Sequence, residues 1–193
     1  MKKNLLISIW FTLATTVLLG IGYPLVVTGI AQLLFPRQAN GELIDSGGKL
    51  VGSRLIGQPF TAPGYFYSRP SAAGAAGYDP TASGGSNLGP TNKMLSDRID
   101  ASVKTLQPMN PNAPVPADLA TTSGSGLDPD ITPASAEFQV PRIARERSMS
   151  EQDVREMVRR HTQGRQFGFL GEPRVNVLEL NLDLDSSHPM PSK

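Results

Sequence analysis

One uncharged stretch at the start of the chain constrains its fold more than any other feature. From Leu5 to Phe35 the sequence contains no Asp, Glu, Lys, Arg or His. A bilayer core of about 30 Å requires about 20 helical residues, so this stretch is long enough to cross a membrane and to tilt within it. The sequence therefore predicts an N-terminal tail and transmembrane helix over residues 1–35, with residues 36–193 following it.

A cleaved secretory signal is the competing interpretation of this stretch. Lys2 and Lys3 give it a basic start, and Gly29-Ile30-Ala31 has the small-x-small form of a cleavage site. A signal peptide, however, has an apolar core of about 7 to 15 residues, and the uncharged run here is about twice that length. The length therefore favours retention of the helix as a membrane anchor.

Small and hydroxyl-bearing residues recur at every fourth position of the span. Such a stripe allows the backbone of another helix to approach closely, and its hydroxyls can hydrogen-bond across the contact. The alternative is that the hydroxyls bond back to their own helix. Pro24 falls in the same register and predicts a kink toward the far end of the span. The residues of the predicted contact with a partner helix are Ser8, Thr12, Thr16, Gly20 and Thr28.

The part of the chain after Phe35 has the size of one modest domain. All 17 acidic residues and all but two of the 18 basic residues lie in it, which leaves one net negative charge with histidine neutral. This charge gives no reason to expect nucleic acid as a partner. The chain has no cysteine, so disulfides and thiolate chemistry are excluded. Because long domains are translocated largely regardless of their charge, a cytoplasmic N-terminus with an external domain is the default topology.

Hydrophobic periodicity and turn residues predict an α+β fold for this domain. Thr132 is expected to cap a helix with Pro133 at its first position, and Pro141 to break or restart that helix. Ser150, with Asp153 as its capping partner, opens the clearest helix. Predicted helices cover 91–107, 132–147 and 150–161, and predicted strands cover 43–44, 50–51, 119–122 and 175–184.

A long segment that is poor in charge lies within the domain. Residues 70–92 carry one charge, Asp79, together with five glycines. A loop of this length is usually functional or disordered, but disordered segments are typically charged and poor in aromatic residues. Aromatic residues flank or enter this loop and predict an ordered surface that a partner covers. The residues of that predicted surface are Tyr65, Phe66, Tyr67 and Tyr78.

The sequence offers little support for catalysis. Neither His161 nor His188 stands in a metal-ligand pattern or has an evident acid partner, and no phosphate-binding loop of the form G-x-x-x-x-G-K-[ST] occurs. Ser125 lies in Ser-Gly-Ser-Gly, which lacks the first glycine of the hydrolase motif G-x-S-x-G. Residues 83–86 and 123–126 could point backbone amides at an anion, although plain turns are the more common use of such segments.

Six blocks of sequence follow the span in a specific order. They are Gly-Ser-Arg-Leu-Ile-Gly-Gln (52–58), Tyr-Phe-Tyr-Ser-Arg-Pro-Ser (65–71), Ala-Ser-Gly-Gly-Ser-Asn-Leu (82–88), Ser-Gly-Leu-Asp-Pro-Asp-Ile-Thr-Pro (125–133), Gln-Val-Pro-Arg-Ile-Ala (139–144) and Val-Asn-Val-Leu-Glu-Leu-Asn (175–181). In this order they closely resemble the C subunit family of the bacterial Kdp potassium-transporting P-type ATPases. The resemblance covers nearly the whole chain, although no single block carries chemistry.

The resemblance implies a single-pass subunit of the bacterial inner membrane with an extracytoplasmic domain. Together with the patterns above, the prediction is a non-catalytic chain with a cytoplasmic N-terminus and one small extracytoplasmic α+β domain. Its implied partners are a channel-like potassium-binding subunit, an ATP-hydrolysing subunit and a very small fourth chain. A membrane-anchored periplasmic module that binds a small ligand is the alternative function, and an enzyme comes third.

The resemblance also implies a role that involves ATP. The family is described as a catalytic chaperone that raises the ATP affinity of the hydrolysing subunit through a Ser/Gly segment. That segment corresponds here to Ser123, Gly124, Ser125 and Gly126, with ATP as a ligand but no firmly bound cofactor. Because ATP is cytoplasmic, direct contact conflicts with an external domain.

Overall fold

A long apolar helix forms the start of the chain. The structure is a computed structural model and describes residues 2–190. Helix α1 (Lys2–Thr15) continues through a π-helical segment (Thr16–Gly22) into helix α2 (Tyr23–Leu34). Together they form a helix of 33 residues that is long and apolar enough to cross a membrane and is not buried within the protein. The expectation of one N-terminal apolar helix is confirmed.

The π-helical segment lies just before Pro24. Pro24 has no backbone N–H and so cannot donate to the carbonyl four residues earlier in the helix. The N–H of Tyr23 donates to the carbonyl of Leu18, five residues earlier, which is the hydrogen bond of a π-helix. The disturbance expected near Pro24 thus takes the form of a widened helical turn.

A short helix and a hairpin follow the apolar helix. Helix α3 (Pro36–Ala39) precedes strands β1 (Leu43–Ser46) and β2 (Lys49–Ser53), which form a two-stranded sheet. Gly47 and Gly48 connect the strands with φ angles of 63° and 81°. Positive φ at both central residues is what a two-residue hairpin turn of type I′ requires. The strands predicted around Leu43 and Leu50 are confirmed.

The chain divides into two units between Val51 and Gly52, and the second unit is an α+β fold. Its small sheet has β5 (Arg174–Asn176) at the centre, between β3 (Asp130–Ile131) and β4 (Thr162–Gln163), with both pairs antiparallel. Val175 lies on the central strand and is fully buried. The elements of this unit are α4 (Lys93–Leu106), a 3₁₀ turn (Gln107–Met109), α5 (Ala117–Ala120), β3 (Asp130–Ile131), α6 (Pro133–Arg147), α7 (Glu151–His161), β4 (Thr162–Gln163), β5 (Arg174–Asn176) and α8 (Val177–Ser187).

Both predicted helix caps are confirmed. The Thr132 hydroxyl accepts from the N–H of Ser135 at 3.1 Å, and the Ser150 hydroxyl accepts from the N–H of Asp153 at 3.1 Å. Helix α6, however, runs through Pro141 without a break. A proline inside a helix costs about 3 kcal/mol.

Burial on both sides of Pro141 outweighs that cost. Val140 and Ile143 are fully buried in the main apolar cluster. Each such side chain contributes about 1.5–3 kcal/mol. The helix therefore continues, and the prediction that Pro141 breaks or restarts it is wrong.

The prediction of a strand over residues 175–184 is wrong beyond Asn176. The Asn176 side chain accepts from the N–H of Glu179 at 3.1 Å and begins helix α8. Every second residue from Leu178 to Leu184 is leucine, which gave the pattern of a strand. The most deeply buried side chains have helical spacing instead and include a polar residue: Val177, Leu180, Asn181 and Leu184.

Two further elements differ from the sequence predictions. Residues 119–122 were expected to form a strand, but Ala117–Ala120 form the short helix α5, which buries Leu119. The Asp118 side chain there accepts from the N–H of Thr132 at 2.9 Å and fixes α5 against the start of α6. Helix α4 is present as predicted but contains no fully buried residue, so its apolar side is only partly packed.

Candidate functional site

The residues of the predicted helix contact all lie on the exposed apolar helix. In an α-helix, residues four apart advance by about 40° beyond a full turn, so such a stripe drifts around the helix. In the π-helical segment a turn holds more than four residues, which reverses the drift between Thr16 and Gly20. A Cβ atom built on Gly20 would lie 3.8 Å from Cγ2 of Thr16, so these two positions are stacked on one side.

One hydroxyl of the stripe bonds to its own helix. The Ser8 hydroxyl donates to the carbonyl of Leu5 at 2.9 Å. Thr15, which lies outside the stripe, does the same with the carbonyl of Phe11 at 2.8 Å. The contact with a partner helix stays a prediction, and close backbone approach at Gly20 is its best supported part.

Two buried amide side chains hold the aromatic segment of residues 65–67. The N–H of Phe66 donates to Oδ1 of Asn181 at 2.8 Å, and its carbonyl accepts from Nδ2 at 3.0 Å. The N–H of Tyr67 donates to Oε1 of Gln139 at 2.7 Å, and its carbonyl accepts from Nε2 at 3.3 Å. Each amide thus satisfies both backbone groups of one residue, as a neighbouring strand would.

Phe66 does not belong to a partner-facing surface, contrary to the prediction. Its side chain is fully buried and belongs to the main apolar cluster of the second unit. The amide bonds to Asn181 draw the backbone of residue 66 into the interior and turn its ring inward. Tyr65, Tyr67 and Tyr78 are half-buried, so parts of these rings remain accessible.

Arg142 is buried beneath the same segment. It is 3% exposed, and its guanidinium donates to the carbonyls of Pro63 and Tyr65. Its other terminal nitrogen donates to Oε1 of Gln139 at 2.7 Å. The guanidinium carbon lies 4.0 Å from the centre of the Tyr67 ring, within range of a cation–π interaction. Burial lowers the pKa of Arg142 to about 10, because the charged form loses its hydration.

Arg147 holds the N-terminal end of the segment. It donates to the carbonyl of Gly64 at 2.7 Å and to Oδ1 of Asp185 at 2.8 Å. The Tyr65 hydroxyl donates to the second oxygen of the same carboxylate at 2.9 Å. Burial raises the pKa of Tyr65, and the bond to Asp185 raises it further. Helices α6 and α8 therefore hold the segment at both ends.

Sequence reasoning assigned no role to Gln139, Arg142 or Asn181. The available signal was polar residues at helical spacing among apolar ones, as in Gln139 and Arg142 on α6. Such residues are normally solvent-facing, and nothing local in the sequence indicates that their hydrogen bonds are made to a distant loop.

The two Ser/Gly segments singled out in the sequence lie against each other. The N–H of Gly84 donates to the carbonyl of Ser125 at 2.8 Å, and the Ser83 hydroxyl donates to the same carbonyl at 3.1 Å. A Cβ atom on Gly85 would lie 3.2 Å from the carbonyl oxygen of Gly124, so a side chain there would be crowded. The charge-poor loop is thus ordered by packing on residues 123–126.

Internal hydrogen bonds occupy part of the predicted nucleotide segment. Ser123 is 8% exposed, and its hydroxyl accepts from the N–H of Gly126 at 2.9 Å. The carbonyl of Gly126 accepts from the Ser71 hydroxyl. Gly124 and Ser125 are the exposed members of the segment. Nucleotide contact at Ser123, Gly124, Ser125 and Gly126 stays a prediction.

A cavity of about 550 Å³ lies beside the aromatic segment. Tyr67 and Tyr78 line one side of it, and Leu106 and Arg98 of α4 line another. The Tyr67 hydroxyl donates to the carbonyl of Thr61 at 3.2 Å. Burial raises the pKa of Tyr78. The volume lies in the range typical of small-ligand pockets.

Acidic and basic side chains are paired near the sheet. Arg174 Nε lies 3.1 Å from Asp130, whose pKa is raised by burial and by the neighbouring Asp128. His161 Nε2 lies 2.9 Å from Asp183, so one histidine has an acid partner that the sequence did not reveal. Within residues 2–190, no group of three or more His, Cys, Asp or Glu side chains could hold a metal ion.

An exposed apolar helix followed by a small α+β unit is the arrangement of a membrane-associated protein with one N-terminal apolar helix. The family model described as "KdpC: K+-transporting ATPase, c chain" matches residues 5–186. The chain belongs to this family, which confirms the resemblance seen in the sequence. It is accordingly an accessory subunit of a multi-subunit potassium-transporting ATPase.

Relatives match over nearly their whole length. The chain is 62% identical over 192 residues to the potassium-transporting ATPase KdpC subunit of Koribacter versatilis, covering 100% of this chain and 99% of that protein. It is 55% identical over 187 residues to the KdpC subunit of Methylococcus capsulatus, covering 96% of each. It is 57% identical over 175 residues to that of Caulobacter vibrioides, covering 90% of this chain and 88% of the relative.

Proposed function

We propose that this chain is a non-catalytic subunit that assembles and stabilises a potassium-uptake ATPase. Its partners are a channel-like potassium-binding subunit, an ATP-hydrolysing P-type subunit and a very small fourth chain. The observation that carries this proposal is the helix Lys2–Leu34, which exposes its apolar surface over 33 residues. Small residues along such a helix favour close packing on another membrane helix.

The proposed location is the bacterial inner membrane. Residues 1–35 form the tail and span with the N-terminus in the cytoplasm, and residues 36–193 form the extracytoplasmic domain. The length of residues 36–193 supports this orientation, because long domains are translocated largely regardless of their charge.

An effect on the ATP affinity of the hydrolysing subunit would act through contacts between subunits. The Ser123 hydroxyl accepts from the N–H of Gly126, and the Gly126 carbonyl accepts from the Ser71 hydroxyl, whereas Gly124 and Ser125 are the exposed part of the segment. An external domain would also be separated by the membrane from cytoplasmic ATP. Both points favour an indirect effect over direct binding of nucleotide.

A membrane-anchored module that binds a small ligand is the second candidate function. The cavity of about 550 Å³ beside Tyr67 and Tyr78 favours it, since its walls combine aromatic rings with the cation of Arg98. A binding module of this kind would act without the large membrane subunits.

Co-purification separates the two candidates. The tagged chain is expressed with the other subunits and extracted in a mild detergent. We expect the large subunits to be retained in near-equal amounts, and potassium-stimulated ATP hydrolysis to fall when the chain is omitted. If the chain purifies alone and the other subunits hydrolyse ATP normally without it, the assembly role is refuted.

A further inference from the structure

The connection between β4 and β5 projects apolar side chains into solvent. Phe167 is 87% exposed, Phe169 is 70% exposed and Leu170 is 46% exposed. Single exposed apolar residues are normal on protein surfaces, but a contiguous group that includes two phenylalanines is characteristic of an interaction site. These residues stand at the tip of a hairpin formed by residues 165–172, which we call the finger.

The finger is an ordered turn. Gln166 and Leu170 form a β-bridge in which each N–H donates to the other's carbonyl at 2.9 Å. The N–H of Gly168 donates to the carbonyl of Arg165 at 3.2 Å. Phe167 has a φ of 53°, a left-handed conformation that is uncommon for residues other than glycine. The turn therefore presents the ring of Phe167 in a defined position outside the surface.

The finger can also be buried in an interface at little cost in lost hydration. Its internal hydrogen bonds satisfy backbone donors that would otherwise lose hydration on burial. Arg165 and Glu172 pair across its base at 2.7 Å, so these two opposite charges compensate each other. The chain then enters β5, whose Val175 is fully buried in the core, which gives the finger a rigid support.

We propose that the finger inserts its two phenylalanines into an apolar pocket on another subunit of the ATPase. This inference rests on the proposed function, because it requires that the chain assembles with partner subunits. The partner that we propose is a folded protein whose surface has an apolar pocket with a polar, nearly neutral rim.

The charges around the finger favour a protein over a lipid surface. Anionic membranes attract clusters of unpaired Lys and Arg. Here Arg165 is paired with Glu172, and the Glu172 side chain is 75% exposed, which anionic headgroups would repel. The next arginine along the chain, Arg174, is paired with Asp130 at 3.1 Å.

The surface beside the finger also favours a protein as the partner. Gly164 and Pro173 flank the finger and line a groove of about 900 Å³. Glu137 and Arg155, which also line this groove, pair with each other at 2.7 Å. An apolar centre beside polar, charge-balanced side chains is the usual anatomy of a protein–protein interface. Three side chains are too few for a stable interface, so the finger acts as an anchor within a larger contact.

Site-specific photo-cross-linking tests the proposal. The variant Phe167→benzoylphenylalanine keeps an aromatic side chain at the tip and is expressed as the full chain, together with the other subunits, in bacterial membranes. Irradiation should give an adduct with the mass of this chain plus one other subunit. The control Met94→benzoylphenylalanine places the same group on α4, at a position that is 62% exposed, and should give little or none.

Other outcomes of the cross-linking overturn the proposal. An adduct with phospholipid alone would place the finger in the bilayer, and an adduct with a second copy of this chain alone would make it a self-association site. Equal adducts from both variants, or none from Phe167→benzoylphenylalanine, would show that the finger makes no specific contact.

A double variant gives an independent readout. Phe167→Asn with Phe169→Ser removes both rings, and Asn tolerates the left-handed backbone at position 167. Because both side chains are exposed, the melting temperature should not change, while retention of partner subunits during detergent washing should fall about tenfold or more. If the parent chain and this variant retain partners equally, the finger proposal fails and the proposed function stands. If the parent chain itself retains no partner, the proposed function fails.

Discussion

Gln139 and Asn181 each hydrogen-bond to both backbone groups of a single residue in the aromatic segment. These bonds determine that the Phe66 side chain is buried, and they could not be predicted from the sequence. A polar residue on a helix is ordinarily assigned to the wet face, and its partner here lies 72 positions away for Gln139 and 115 positions away for Asn181. The sequence showed an aromatic cluster but not which of its rings is buried.

The first prediction concerns Gln139→Leu. This change leaves the N–H and carbonyl of Tyr67 and one guanidinium nitrogen of Arg142 without their partner. An unsatisfied buried group costs about 1–3 kcal/mol, so we expect a loss of about 2–4 kcal/mol in the free energy of unfolding. For a chain of this size that corresponds to a fall of about 4–16 °C in melting temperature, measured on the full chain in detergent.

Gln152→Leu is the matched control, since Gln152 is exposed on α7. It should change the unfolding free energy by no more than about 0.5 kcal/mol. Equal melting temperatures for the two variants would mean that water replaces the Gln139 amide, and that this amide does not determine the fold.

Whole elements were predicted well where their signals are local. The caps at Thr132 and Ser150 are set by residues within one helical turn, and both helices begin where expected. Helix α8 was missed because Asn181 replaces an apolar residue on its buried face, which left the alternating leucines as the stronger pattern. In α8 the spacing of the apolar residues gave the wrong period, because tertiary contacts decided which positions are buried.

The π-helical segment matters for the predicted stripe on the apolar helix. A stripe read at four-residue spacing drifts along an α-helix, and the widened turn between Thr16 and Gly20 partly reverses that drift. A straight α-helix would spread the five positions more widely around its circumference. The structure therefore strengthens Thr16 and Gly20 as the centre of the proposed contact.

The second prediction tests this centre with Thr16→Leu combined with Gly20→Leu. On insertion scales leucine at a helix centre is favourable by about −0.5 kcal/mol, so the variant should enter the membrane at least as well as the parent chain. The variant prevents the backbone of a partner helix from approaching closely at Gly20. It also removes any cross-helix hydrogen bond from Thr16, and such a bond is worth on average about 0.6 kcal/mol. We expect less co-purification with the ATPase and less potassium-stimulated ATP hydrolysis by the enriched complex.

Leu18→Ala combined with Leu19→Ala is the control for this prediction. It lies off the stripe within the same π-helical segment and should leave both co-purification and ATP hydrolysis nearly unchanged. If the two pairs of substitutions reduce co-purification equally, the helix is only an anchor and the binding energy comes from the second unit.

At the scale of the whole molecule, the sequence predicted the N-terminal apolar helix and the family, since the helix depends on composition and the family on the order of motifs. It did not reveal the finger, because Phe167 and Phe169 carry the same pattern whether they face the core or solvent. Exposure depends on where the β4–β5 connection leaves the sheet, which only the folded chain defines. The orientation across the membrane is likewise not fixed by the pattern of charges alone.

The charges that flank the apolar helix are nearly balanced. Lys2 and Lys3 lie at one end, and Arg37 and Lys49 lie beyond the other, so the positive-inside count gives little preference. The expected orientation therefore depends on the size of the following domain, because long domains are translocated largely regardless of charge. We therefore expect the second unit on the external side of the membrane.

The absence of cysteine from the chain makes this orientation directly measurable. Met94→Cys introduces one thiol at a position that is 62% exposed on α4, and Asn4→Cys introduces one before the apolar stretch. With a membrane-impermeant maleimide added to spheroplasts that express the complete ATPase, Met94→Cys should be labelled at once, and Asn4→Cys only after lysis. The reverse pattern would place the second unit in the cytoplasm, where Gly124 and Ser125 would have access to ATP, and direct nucleotide contact would then become the better account of the Ser/Gly segment.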